Sequence, residues 1–201
     1  MTRRPTTRLA GALAATVLVL GTAACSEDPN SIAAQAKAGD QKGYISGDGA
    51  VETIAVADRG EPVTLEGELV GGGTWASASA RGTDVVVLNV WGSWCAPCVA
   101  EAPDLQKVWS DLQAEDEPVQ FMGIDFREGP ASGAAFAKKA GITYPSLSDK
   151  AGVLILDLQG KAPTVPTTLV LDLEGRIAAR VNGPVSASTL RGLVDDVLAQ
   201  S

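Results

Sequence analysis

The residues best placed to do chemistry are two cysteines spaced C-x-x-C, in Trp94-Cys95-Ala96-Pro97-Cys98. They follow an apolar run, Val85 to Trp91, that reads as a buried strand. They precede Val99, Ala102, Leu105, Val108, Trp109 and Leu112, which are spaced as one face of a helix. A thiol at a strand-to-helix junction meets the free N–H groups and positive dipole end of the helix, which favour its thiolate. The thiolate is the attacking species in disulfide exchange. The pattern therefore predicts Cys95 as nucleophile and Cys98, one turn on, as the resolving thiol of a redox-active Cys95–Cys98 disulfide. Trp94 is positioned to cover the nucleophile, and Ala96-Pro97 between the cysteines tunes the potential. Zinc is the first alternative, but it needs about four Cys, His or acidic ligands, and beyond this pair the chain has one cysteine and no histidine. The second is a structural disulfide, which across so short a loop would constrain the unfolded chain little.

The remaining cysteine, Cys25, stands at the end of a leader-like segment. Arg3, Arg4 and Arg8 form a basic start, Leu9 to Leu20 an apolar stretch too short to span a bilayer comfortably, and Gly21-Thr22-Ala23-Ala24 a small-residue site. This order resembles a bacterial lipoprotein signal, cleaved before Cys25, which is then lipidated. Thr22 departs from that pattern, which prefers Leu or Val there, and an ordinary secretory signal cut after Ala24 is the alternative. With Cys25 assigned to a lipid, the odd count of three cysteines leaves one pair. An exported protein with one pair is not a disulfide scaffold, so the pair reads as a tool rather than a staple.

Charge and composition exclude several classes. The chain carries a formal net charge of −8, and losing Arg3, Arg4 and Arg8 with a signal makes the rest more acidic. Nucleic-acid binding, which needs a basic patch, is not expected. Without histidine there is no Ser-His-Asp or Cys-His hydrolase, no histidine haem ligation and no histidine-based metal catalysis. No nucleotide or flavin motif is visible, so no cofactor is expected, and electrons would have to arrive from another protein.

Three segments follow: a signal over 1–24, a tether over 25–49 rich in Ala, Gly, Ser, Asp and Lys, and a folded domain over 50–201. Within the domain, Val63 to Leu69 and Thr74 to Ala78 flank Gly71-Gly72-Gly73 and predict a β-hairpin. Strands are expected at Val85 to Trp91 and Val119 to Asp125. Helices are expected over Cys95 to Ala114, over Ala131 to Ala140 with a stop at Gly141, and over Lys150 to Asp157. Thr167 to Asp172 and Arg176 to Val181 form a second hairpin across Leu173-Glu174-Gly175. Ser188 to Ala199 closes the chain as a helix with Leu190, Leu193, Val194, Val197 and Leu198 on its apolar stripe.

Trp-Cys-x-x-Cys after an apolar strand, with Val165-Pro166-Thr167-Thr168 ahead of a later strand, resembles the thioredoxin fold over roughly 84–201. The resemblance implies an α/β domain with a central mixed sheet flanked by helices, here with an N-terminal β-hairpin extension. It also implies a cis Pro166, preceded by Val165, facing the cysteines, where a substrate strand can pair. Within that superfamily, Val87 to Cys98 and Glu101-Ala102-Pro103 are similar to the ResA/TlpA group of membrane-tethered thiol-disulfide oxidoreductases. Asn89 stands where cytoplasmic thioredoxins carry a buried acid, as is common in that group. Glu101 is open between two readings: an acid that tunes thiol ionisation, as the group implies, or a solvated surface residue. Pro103 can simply kink the helix.

The resemblance implies a disulfide reductase on the outer face of the bacterial cytoplasmic membrane. Its implied partners are a membrane thiol-disulfide electron donor and the haem-site cysteines of apocytochrome c. An oxidase or isomerase of exported proteins would use the same residues, and a non-catalytic envelope binding lipoprotein is the third reading. The surroundings of a peroxidatic cysteine, which a related redoxin peroxidase needs, are not visible.

Overall fold

The computed structural model describes residues 50–200; the leader, Cys25 and the tether lie outside the described residues. Eight strands and three α-helices follow in chain order. They are β1 (Ala50–Thr53), β2 (Glu66–Glu68), β3 (Thr74–Ala76), β4 (Val85–Trp91), α1 (Ala96–Ala114), β5 (Val119–Phe126), α2 (Pro130–Ala140), β6 (Ser146–Asp149), β7 (Thr167–Leu171), β8 (Ile177–Asn182) and α3 (Ala187–Leu198). Six strands form one mixed sheet in the order β1-β8-β7-β4-β5-β6, and β2 and β3 form a separate hairpin.

Strand β4 lies at the centre of that sheet, antiparallel to β7 and parallel to β5, and all seven of its residues are buried. A strand covered on both faces needs no polar alternation, which explains why Asn89 is its one polar residue. Val85 and Val87 face one layer with Leu105, Val108 and Leu112 of α1 and Leu190, Val194 and Val197 of α3. Val86, Leu88 and Val90 face the other with Val63, Leu65 and Leu158. Helices cover the first face. The second is covered largely by irregular chain before β4 and after β6.

The hairpin is shorter than its sequence suggests, pairing only Glu66↔Ala76 to Glu68↔Thr74. Gly72 and Gly73 make its turn with φ of 91° and 88°, a region that favours glycine. It docks on the sheet edge through a bridge between Leu69 and Leu147 and a hydrogen bond from Val70 N to Ser146 O at 2.8 Å.

One expectation needs correction. The helix expected over Lys150 to Asp157 is only a 3-10 turn at Leu154–Leu158. Gly152, at φ 71°, breaks the chain there. Just before it, Ser146–Asp149, to which the sequence pattern assigns no element, is strand β6 at the sheet edge. Strand β1 also adds to the sheet edge, pairing antiparallel with β8 from Ala50↔Asn182 to Thr53↔Ala179.

Candidate active site

Strand β4 ends at Trp91, and Gly92-Ser93-Trp94 turns the chain into α1. Cys95 is the N-cap of that helix, and its Sγ accepts a hydrogen bond from Cys98 N at 3.3 Å. This is the orphan-donor geometry that stabilises a thiolate at a helix start. The two sulfurs are joined at 2.03 Å, so the structure shows the oxidised form. In this form both cysteines are buried, Cys95 at 5% exposure and Cys98 at 2%. Ala96 and Pro97 between them are exposed.

Packing around the sulfurs comes from Trp91, Phe136 of α2 and Val165. The Trp91 ring lies 5.2 Å from Phe136, and its Nε1 donates to Ser146 Oγ at 3.3 Å. Trp94, expected as a cover, is 57% exposed. Its ring is turned onto Phe126, and Nε1 donates to the Phe126 carbonyl at 3.1 Å. The anchoring of the indole N–H on strand β5 sets this orientation, leaving a wide aromatic face to solvent beside Cys95.

The Val165–Pro166 peptide is cis, and Pro166 is buried. Val165 packs on the disulfide cluster, which brings the start of β7 to the C-x-x-C turn. Thr168, two residues on, reaches back to β4 by accepting from Asn89 Nδ2 at 3.1 Å.

Glu101 is not a surface acid; it is only 3% exposed. It lies three residues after Cys98, the spacing that places side chains on one helix face. Its Oε1 accepts from Asn89 Nδ2 at 3.0 Å, and its Oε2 accepts from Val185 N at 3.0 Å. Burial pushes its carboxyl up to about 7, against the opposing pull of those two hydrogen bonds. Burial, helped by Glu101's charge, also pushes the Tyr144 hydroxyl upward. A buried acid with this ionisation, one turn from Cys98, can exchange a proton near neutral pH and opposes a nearby thiolate when charged.

Sequence reasoning missed several contributors: Phe136, Val185, Tyr144 and a second acid site. Ser93 N and Ser93 Oγ both donate to the Glu128 carboxylate at 2.5 Å, which ties the turn before Cys95 to the chain after β5. An acid within the apolar run of β5, Asp125, was the available signal for that region. Among the described residues no group of three or more His, Cys, Asp or Glu could hold a metal ion.

Residues 58–180 match the AhpC/TSA family. The chain belongs to the AhpC/TSA family. Among curated relatives of this family member, the thiol:disulfide interchange protein HelX of Rhodobacter capsulatus is 29% identical over 62% of the chain and 67% of HelX. The thiol-disulfide oxidoreductase ResA of Geobacillus thermodenitrificans is 26% identical over 56% of the chain and 62% of ResA. Among solved structures, a DsbF homologue from Corynebacterium diphtheriae is 32% identical with a TM-score of 0.67, covering 77% of this chain and 98% of that one. A secreted thiol-disulfide isomerase from Corynebacterium glutamicum is 28% identical with a TM-score of 0.69, covering 80% and 98%. The AhpC/TSA chain is thus a homologue of thiol-disulfide oxidoreductases with the thioredoxin-like α/β fold, and Cys95–Cys98 is its C-x-x-C site. No helix among the described residues is long and apolar enough to cross a membrane.

Proposed function

We propose that the protein is an extracytoplasmic disulfide reductase acting in cytochrome c maturation. It would reduce the haem-site cysteines of apocytochrome c and take its electrons from a membrane thiol-disulfide donor. The Cys95 thiolate attacks one sulfur of the substrate disulfide, forming a mixed disulfide and releasing one substrate thiolate, which takes a proton. The Cys98 thiol then loses its proton and attacks Cys95 Sγ, releasing the second substrate thiol. The substrate gains two electrons, and the protein is left as the Cys95–Cys98 disulfide that the structure shows. A donor dithiol reverses that bond by the same exchange.

Glu101 is the observation that carries the direction. A buried carboxyl one turn from Cys98 disfavours thiolates, so the reduced form is not stabilised and the dithiol gives up its electrons readily. The midpoint potential of Cys95/Cys98 against glutathione is the test. A value near that of thioredoxin, about −270 mV, supports the reductase, and one near that of DsbA, about −120 mV, overturns it. Likeness to the secreted isomerase favours a second reading, disulfide formation or shuffling in exported proteins, which the same measurement separates.

Attachment through a lipidated Cys25, after cleavage of residues 1–24, would hold the domain on the outer face of the bacterial cytoplasmic membrane, with the segment 25–49 as tether. The basic, apolar, small-residue and cysteine order supports this reading. Cys25→Ser should release the protein from the membrane fraction or block its processing; unchanged fractionation refutes the anchor.

A further inference from the structure

Asp125 is a fully buried acid that the exchange chemistry does not use. It sits near the C-terminal end of β5, in register with Trp91 of β4 and Ser148 of β6, and is 0% exposed. Neither of its carboxyl oxygens accepts a hydrogen bond from any donor. Helix α2 closes the site so tightly that a Cβ on Gly133 would lie 2.0 Å from Asp125 Oδ2. Buried oxygens without donors are costly as a carboxylate. A protonated carboxyl resolves this by donating instead of accepting, and the group that meets Asp125 is the carboxylate of Glu128. Glu128 in turn accepts from Ser93 N and Ser93 Oγ, two residues before Cys95.

We propose that Asp125 and Glu128 share one proton and act as a positioning pair, clamping the Gly92-Ser93-Trp94 turn and thereby holding Cys95 at the start of α1. The chain of contacts runs from Asp125 O–H to the Glu128 carboxylate, and from that carboxylate to the amide and hydroxyl of Ser93. Trp94 Nε1 on the Phe126 carbonyl adds a parallel anchor that does not titrate. Burial, then the hydrogen bond and charge of Glu128, push Asp125 up to about 8. Hydrogen bonds from Asp125 and Ser93 outweigh burial and hold Glu128 below its ordinary value. The other neighbours carry no compensating charge: Gly133 on α2, Trp91 on β4 and Ser148 on β6 are neutral, and the Arg127 guanidinium lies over the Phe126 ring. Above about pH 8 the pair loses its proton, two carboxylates face each other, and Glu128 is driven off Ser93. The clamp serves disulfide exchange in either direction of electron flow.

The test uses the oxidised full chain, in which neither thiol titrates, and carboxyl 13C and amide proton shifts followed from pH 4 to 10. Asp125 Cγ is expected to titrate near pH 8, with the Ser93 amide proton moving at the same midpoint. Asp125→Asn keeps a donor to Glu128 but has no proton to lose, so its Ser93 amide should show no inflection there. Glu128→Gln removes the like charge and should lower the Asp125 midpoint. Glu101, with its own midpoint near 7, is followed separately at its Cδ. An Asp125 Cγ titrating in the ordinary carboxyl range, a Ser93 inflection that survives Asp125→Asn, or an Asp125 midpoint unmoved by Glu128→Gln overturns the proposal. The kinetic arm compares reduced wild type with Asp125→Asn on a disulfide-bonded peptide. The wild-type rate divided by the variant rate should fall about tenfold from pH 6.5 to 9, since misplacing a reacting group by about 1 Å costs up to about 100-fold. Dividing the rates cancels the ionisation of the peptide, and dividing each rate by the thiolate fraction that Cys95 alkylation gives for that protein at the same pH removes the thiols, so a flat corrected ratio also overturns the clamp.

Discussion

Replacing Glu101 by Gln removes one ionisation from the buried network beneath Cys98, and its consequence can be worked out from the structure. Burial lifts the carboxyl from an ordinary value of 4.5 to about 7. At 1.36 kcal/mol per tenfold change in proton affinity, ionising Glu101 inside the folded protein costs about 3 kcal/mol more than in the unfolded chain. The sign follows from proton counting. Between about pH 4.5 and 7 the folded protein keeps a proton that the unfolded chain has released, so stability falls as pH rises through that window and levels off above it. Glutamine has no such proton. It does offer one acceptor and one donor where the carboxylate had two acceptors, so either Asn89 Nδ2 or Val185 N loses its partner and shifts the variant's stability at every pH. The pH dependence of the difference is free of that constant. Guanidinium unfolding of the oxidised proteins at pH 4.5, 6, 7 and 8 should show the Glu101→Gln variant gaining about 3 kcal/mol relative to wild type across the series. Asp125 titrates in both proteins and cancels. In the reduced protein, the same substitution should lower the pH at which the thiols become alkylatable, because a like charge is removed. Parallel stability curves, or superimposable alkylation curves, would refute the placement of a proton on Glu101.

Cys98→Ser should accumulate mixed disulfides between Cys95 and protein substrates on non-reducing gels, while Cys95→Ser should not; equal trapping refutes the division of roles. Gly133→Ala should lower the urea unfolding midpoint by the equivalent of about 1–3 kcal/mol, since its Cβ would meet Asp125 Oδ2 at 2.0 Å; a neutral result contradicts the close approach of α2 to β5. Trp91→Ala removes a side chain that is 2% exposed and packs on both cysteines, and should cost about 3–5 kcal/mol in the oxidised protein by calorimetry or denaturant unfolding; a loss below about 1 kcal/mol contradicts its place in the cluster.

How much of this was legible in the sequence depended on whether the cause was local. Strand β4 announced itself because both of its faces are covered, so seven consecutive residues are buried and all but Asn89 are apolar. Helix α1 was readable from the period of Ala102, Leu105, Val108 and Leu112, all buried on one side. Helix α3 was readable for the same reason, with Ser186 as its N-cap accepting from Thr189 N. Strand β6 was not readable: Ser146-Leu147-Ser148-Asp149 has one large apolar residue, and its place in the sheet comes from backbone pairing with Gly123 to Phe126 of β5. Strand β1 likewise owes its existence to a partner, β8, about 130 residues further along the chain.

The acids at the site show the same division more sharply. The sequence left Glu101 open between an acid that tunes the thiols and a solvated surface residue, because it could not say what faced it. The answer lies in Asn89 on β4 and in Val185, which is 84 residues away in sequence. Asp125 carried a local hint, an acid inside the apolar run of β5, yet its neighbours Glu128 and Gly133 each have an ordinary surface or turn reading when taken alone. A lone acid in a sequence defaults to the surface, because ionised carboxylates are almost never buried without partners. That default fails here twice within one site. At Glu101 two N–H donors from different elements offset part of the burial cost, and at Asp125 the offset is a proton shared with a second carboxyl. Both exceptions surround the C-x-x-C turn, where the ionisation of a sulfur is the quantity the protein has to control, and both depend on contacts that exist only once the sheet has assembled.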